Sequence, residues 1–134
     1  MAPPETALKT ASQSQVLRYA RVEQSEFEVC TVLASGYPVI FGFSVFEEFE
    51  SDECQATGIL KMPAKGSKNY GGHAVLCCGY DLPRRMFLVR NSWGKDWGIG
   101  GYFWMPFDYL LDPKLSDDFW ALYSVEDGDT EDGE

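Results

Sequence analysis

At 134 residues the chain fits one domain, and a domain of that size buries roughly two thirds of the surface its unfolded chain exposes. A hydrophobic content of 45% with 15% aromatics excludes a disordered polymer and implies a core rich in ring contacts. The formal charge of −10 argues against nucleic acid and anionic membrane as partners, because both are held by clustered Lys and Arg.

Residues 1–15, MAPPETALKTASQSQ, are polar and rich in Pro, Ser, Thr and Gln, and read as a poorly ordered connector with at most a weak helix from Glu5 to Ser12. They lack the apolar core of a signal peptide, and no run approaches the roughly 18 apolar residues of a membrane span. As written, the sequence predicts a soluble, cytoplasmic chain, in which Cys30, Cys54, Cys77 and Cys78 are free thiols.

VLRYARV then predicts a short extended segment leading to a helix start. Ser25 and Glu28 have the spacing of a capping box, in which each side chain satisfies the other's backbone N–H. A helix is expected from Glu26 to Ser35, with Phe27, Cys30, Leu33 and Ala34 as its apolar stripe and Gly36 ending it. In YPVIFGFSVF, Val39, Phe41, Phe43 and Val45 alternate with Ile40, Gly42 and Ser44, the pattern of a half-buried or central strand. The charged, Gly- and Ser-containing run from Glu47 to Gly72 reads as a long loop that shapes a surface site or is mobile.

Strands are expected over His73–Tyr80 and Met86–Asn91, joined as a hairpin through DLPRR. Side chains alternate along a strand, so His73 shares a face with Val75 and Cys77, and Asn91 shares one with Val89 and Phe87. His73 and Asn91 then meet at the open end of the hairpin. Gly94, Gly98, Gly100 and Gly101 around Trp97 mark turns that need positive φ or close backbone approach, before a strand from Tyr102. FDYLLDP predicts a short helix stopped by Pro113, and DDFWALYSV a last strand with Phe119, Ala121 and Tyr123 on one face. The terminal EDGDTEDGE carries six carboxylates and no apolar residue, and reads as a solvated tail rather than a calcium site or docking tail.

His73 is the only histidine. A lone histidine is more often structural than catalytic, but here an asparagine is placed to hold it. The side-chain carbonyl of Asn91 can accept from one imidazole nitrogen and turn the other toward a substrate or nucleophile, with Trp93 covering the contact. GGHAVLCCGYD followed by FLVRNSWGKDWGIGGYFWM resembles the papain-like cysteine peptidases of the papain and cathepsin family. The resemblance covers about residues 16–124, leaving 125–134 as an acidic tail.

It implies an α+β fold equivalent to the C-terminal domain of those enzymes: a twisted antiparallel β-sheet or open barrel with a short helix packed on it, the N-terminal helical domain missing. It also implies His73 as general base, Asn91 as its orienter, Trp93 as a shielding indole, and Gly42, Gly72 and Ala74 as lining for a peptide- or protein-substrate cleft. No cofactor is implied.

The family's nucleophile is a Cys in a C-G-[SA]-C-[WY] signature, with the His and Asn about 130–150 residues downstream. Only 72 residues precede His73, and none of them form that signature. None of the four cysteines replaces it well. Cys77 is displaced about 13 Å along its strand from His73. Cys78 points to the other face and Cys30 falls in the helix stripe, leaving Cys54 in the long loop as the only one able to approach. One histidine and cysteines on opposite faces also do not make a zinc site.

The sequence therefore predicts a peptidase half-domain that needs a separate Cys-bearing half and is inactive alone. A non-catalytic peptide- or protein-binding module is the alternative. Either way an apolar face is left open, which favours self-association.

Overall fold

The computed structural model describes residues 15–126, and the elements are set by local signals that are mostly visible in the chain. They run β1 (Gln15–Arg21), α1 (Glu26–Ala34), β2 (Val39–Phe46), α2 (Asp52–Thr57), β3 (Asn69–Asp81), β4 (Met86–Arg90), β5 (Tyr102–Pro106), α3 (Phe107–Leu110) and β6 (Ser116–Glu126). The expected connector, its weak helix from Glu5 to Ser12 and most of the acidic tail lie outside the described residues.

One six-stranded sheet is ordered β1-β6-β2-β3-β4-β5 with every neighbouring pair antiparallel, and β1 and β5 remain as two separate edges. The expected α+β class with an open antiparallel sheet is what the chain adopts. Among the described residues no helix is long and apolar enough to cross a membrane.

The alternation of β2 decides which face is covered. Val39, Phe41, Phe43 and Val45 are buried, and Ile40, Gly42 and Ser44 lie on the other, only partly covered side. The covered side meets Val75 and Cys77 of β3, Phe87 and Val89 of β4, Phe103 and Met105 of β5 and Phe119 of β6 in one core. Ring packing joins it, with Phe41 stacked on Phe119 at 5.1 Å and Phe87 on Phe107 at 4.2 Å. Tyr109 brings α3 down onto this side, its buried hydroxyl donating to the Ser44 carbonyl at 2.6 Å.

Several details differ from the sequence reading. Ser25 does cap α1, accepting from the Glu28 N–H at 3.1 Å, but its own N–H goes to the Glu23 carbonyl at 2.8 Å, so the box is half formed. The buried stripe of α1 is Val29 and Leu33, with Cys30 and Val32 partly covered, while Phe27 is 77% exposed and Ala34 is also exposed. At 3.6 residues per turn, Phe27 lies on the far side of the helix from Val29; both stripes have helical spacing, and packing on the sheet chooses one.

The run expected as a long loop contains α2, capped by Ser51 accepting from the Cys54 N–H at 3.1 Å and ended by Gly58 at φ +71°. Its remainder is pinned by carboxylates: Glu48 accepts from the Ala64 N–H at 2.9 Å and the Ser67 hydroxyl at 2.7 Å. β3 begins at Asn69, earlier than expected, and a bulge between Cys77 and Gly79 turns Cys78 outward.

Candidate active site

His73 enters the site from β3, opposite Phe43 of β2. Asn91 is the first residue past β4, one step beyond the Leu76–Arg90 pair, and its N–H is tied to the Gly101 carbonyl at 2.9 Å. That tie depends on the glycine run. Gly94, Gly98, Gly100 and Gly101 all have positive φ, and a Cβ on Gly98 would sit 2.5 Å from the Tyr102 carbonyl oxygen. The chain can fold back under Asn91 only because these positions carry no side chain.

The two side chains meet as the strand geometry predicts, with His73 Nε2 2.9 Å from Asn91 Oδ1. The Ser92 N–H also donates to Oδ1, at 2.9 Å, which identifies that atom as the amide oxygen. An oxygen cannot donate, so the shared proton belongs to His73 Nε2, and in the neutral ring Nδ1 carries the lone pair. The imidazole is thus held as the tautomer with a free basic nitrogen. Asn91 is only 4% exposed, and its Nδ2 has no hydrogen-bond partner.

Rings enclose the imidazole. Trp93 lies 5.4 Å from it at a 30° interplanar angle and is itself 46% exposed, forming a lid on the solvent side. Phe43 at 5.9 Å and Phe49 at 6.1 Å pack against it from the core. Phe49 is fully buried and also touches Trp93 at 5.2 Å and Trp97 at 5.1 Å, so one ring supports both His73 and its lid. The sequence reading missed Phe49 because it sits in the acidic EEFESDE run. Its signal was an aromatic at helical-turn distance from Phe46 in an otherwise charged segment.

The expected cleft residues fall on the open side of the sheet. Gly42 pairs with Ala74, and Ser44 with Gly72. Gly42 and Gly72 line a cavity of about 170 Å³ with Ser44 and Asp117, whereas Ala74 lines a separate groove of about 610 Å³.

Of the four cysteines, Cys54 and Cys77 are buried, Cys30 is half-buried and Cys78 is exposed. Cys54, expected to be the one able to approach His73, is 1% exposed with its side chain turned into the core by α2. Burial, with the Glu53 charge adding, pushes its thiol up to about 11. Burial also drives the Cys77 thiol well above its ordinary range and raises Cys30, the latter helped by Glu26. Cys78 is raised by burial, an effect partly offset by Arg90. A thiolate nucleophile needs the opposite shift. Among the described residues no three His, Cys, Asp or Glu side chains gather as a metal site.

A family model described as papain family cysteine protease matches residues 4–109. An uncharacterized peptidase C1-like protein of Acanthamoeba polyphaga mimivirus is 38% identical over 93% of this chain and 43% of its own length. A cathepsin B-like protein of Giardia intestinalis is 29% identical over 78% of this chain and 34% of its own. Among solved structures, xylellain, a cysteine protease from Xylella fastidiosa, superposes with a TM-score of 0.75 at 42% identity, covering 81% of this chain and 40% of that one. The chain therefore spans less than half the length of the relatives it matches.

Proposed function

The chain belongs to the papain family of cysteine proteases, and on that premise we propose that it supplies the general base and its orienting amide to a cysteine peptidase whose nucleophile lies on another segment. The observation that carries the reading is the His73–Asn91 contact, with the proton on Nε2 and Nδ1 open. In this mechanism Nδ1 takes the proton of a cysteine thiol, and the thiolate attacks the carbonyl carbon of a peptide bond. The imidazolium then gives that proton to the departing amine, leaving an acyl-thioester that water hydrolyses with His73 again acting as base. Asn91 holds the ring through both transfers, and Trp93 keeps water off the hydrogen bond. In this reading Gly42, Gly72 and Ala74, on the open side of the sheet, line the path of an extended peptide.

A cysteine of this chain does not fill the role, since Cys54 and Cys77 are buried and all four thiols are raised. The same observation favours a second reading, a peptide-binding module without turnover. The experiment combines this chain with the part of the Xylella cysteine protease that lies outside the match and follows hydrolysis of a fluorogenic peptide. The peptidase reading expects no turnover by either part alone, turnover by the pair, and its loss in His73→Ala. Turnover by this chain alone that disappears in Cys54→Ala overturns it, and peptide binding without turnover by the pair supports the module.

A further inference from the structure

The open side of the sheet carries opposite charges at its two ends. At the β4 end, Arg90 and Lys95 form the rim of the larger groove. At the β6 end the Asp117 carboxylate lies over Gly42, its Oδ1 3.5 Å from where a Cβ on that glycine would stand. Among the described residues none of these three has an ion pair, whereas Arg21, Lys61, Arg84 and Arg85 each have one. Lys114 lines the cavity beside Asp117 and is not paired with it. Between the two ends the groove floor is apolar, with Ile40, Leu76 and Leu122 only partly covered.

The register fixes the spacing. Arg90 faces Leu76, Leu76 faces Ile40 and Asp117 faces Gly42, so the charges stand on β4 and β6 with β2 and β3 between them. Three gaps of about 4.8 Å put them roughly 14 Å apart across the sheet. A patch with an apolar middle and opposite charges at its ends is complementary to itself. In an isologous contact the same patch serves on both molecules, so that if one residue meets a second, the second also meets the first. A two-fold axis between two facing copies, passing between β2 and β3, brings the cations of each copy to the carboxylate of the other and lays one apolar floor on the other. The charges are then paired as the floor is covered, which removes the cost of desolvating them alone.

The acidic C-terminal segment is the rival occupant. EDGDTEDGE offers carboxylates to Arg90 and Lys95, but no apolar side chain to Ile40, Leu76 and Leu122 and no cation to Asp117. A second copy answers all three. We propose that this chain forms a two-fold homodimer through the open side of its sheet, with Ile40 packed on the partner's Leu76 and with Arg90 and Lys95 paired to the partner's Asp117. Such a dimer is independent of the peptidase reading, since every residue in it belongs to this chain. The net charge of −10 on each copy opposes the approach and the floor is small, so the dimer is weak, with a dissociation constant of about 10–100 μM.

Sedimentation of the full chain over a range of concentrations reads the dimer, and charge reversal tests its geometry. Arg90→Glu with Lys95→Glu sets like charges against each other at both contacts, and Asp117→Lys does the same. Each variant alone should dimerise at least tenfold more weakly than the wild type. An equal mixture of the two variants should recover the wild-type affinity as a mixed dimer, because every contact across its axis again joins opposite charges. All three positions are exposed, and recovery in the mixture also shows that both variants fold.

A wild-type chain that stays monomeric at about 1 mM overturns the proposal. If removing residues 127–134 then permits dimers, the groove belongs to the C-terminal segment instead. A dimer that neither variant weakens places the contact on another surface and also overturns it. So does a mixture that stays monomeric, because the charges then do not meet across the interface. Turnover or its absence in the peptide assay changes none of these outcomes, so the two readings stand or fall separately.

Discussion

The two sides of one sheet are finished differently. The inner side is closed by rings: Phe41, Phe43, Phe49, Phe103 and Phe119 are almost wholly buried and pack edge to face or stacked. The outer side carries Ile40, Leu76 and Leu122 only partly covered, with small residues at Gly42, Gly72 and Ala74 between them. His73 stands where the sides meet, supported by Phe43 and Phe49 from within while Trp93 covers it from solvent. The contrast separates what makes the domain stable from what it leaves open to solvent. The inner side holds the imidazole in place, and the outer side is left partly exposed.

That division is broken most severely at the inner side. Phe49→Ala removes a ring that touches His73, Trp93, Trp97 and Phe103, and a buried Phe→Ala change costs about 3–5 kcal/mol. Urea unfolding should show that loss, with the tryptophan fluorescence changed in whatever folded fraction remains, since Phe49 packs on both Trp93 and Trp97. Gly98→Ala comes next, at about 2 kcal/mol or more, because φ is +63° and the new Cβ would meet backbone rather than a movable side chain. Thermal unfolding checks it.

A smaller effect concerns pH. Burial would raise the Glu48 carboxyl, but the Ala64 N–H and the Ser67 hydroxyl outweigh it and hold the group below its ordinary value of about 4.3. The folded chain therefore binds that proton less readily than the unfolded chain. The clamp contributes fully above the ordinary value and is lost as pH falls through the lower, folded one. Glu48→Gln should make the chain less stable at neutral pH and flatten the acid limb of its stability curve below about pH 4.3. Unfolding midpoints taken across that range read both effects.

The outer side should respond least. Gly72→Ala, with open space where its Cβ would go and no positive φ, and Leu76→Lys should each change the stability of the isolated chain by less than about 0.5 kcal/mol in the same unfolding assay. A large loss from either would mean that the outer side is already part of the core.

Much of this was legible beforehand, and the limits have physical causes. The β2 alternation, the Ser25 cap and the glycine run state their geometry directly, since each is a local rule of backbone or period. Opposing His73 and Asn91 followed from strand alternation and a short hairpin. Choosing Val29 over Phe27 did not, because both lie on helical stripes and only the sheet beneath α1 decides between them. The helix α2 was hidden because six charged and small residues give little apolar periodicity, and with it went the burial of Cys54. Phe49 was hidden for a related reason: apart from Phe43, its partners come from β3, β5 and the glycine run, all distant in sequence.

The central claim is that Asn91 holds His73 as the Nε2–H tautomer and leaves Nδ1 open for a thiol. Because the chain has one histidine, a nitrogen-15 NMR spectrum of the ring in its neutral form contains a single imidazole and needs no assignment. The account predicts a protonated, slowly exchanging Nε2 and an unprotonated Nδ1, with the exchange protection lost in Asn91→Ala. A proton found on Nδ1, or a spectrum unchanged by that substitution, would contradict it.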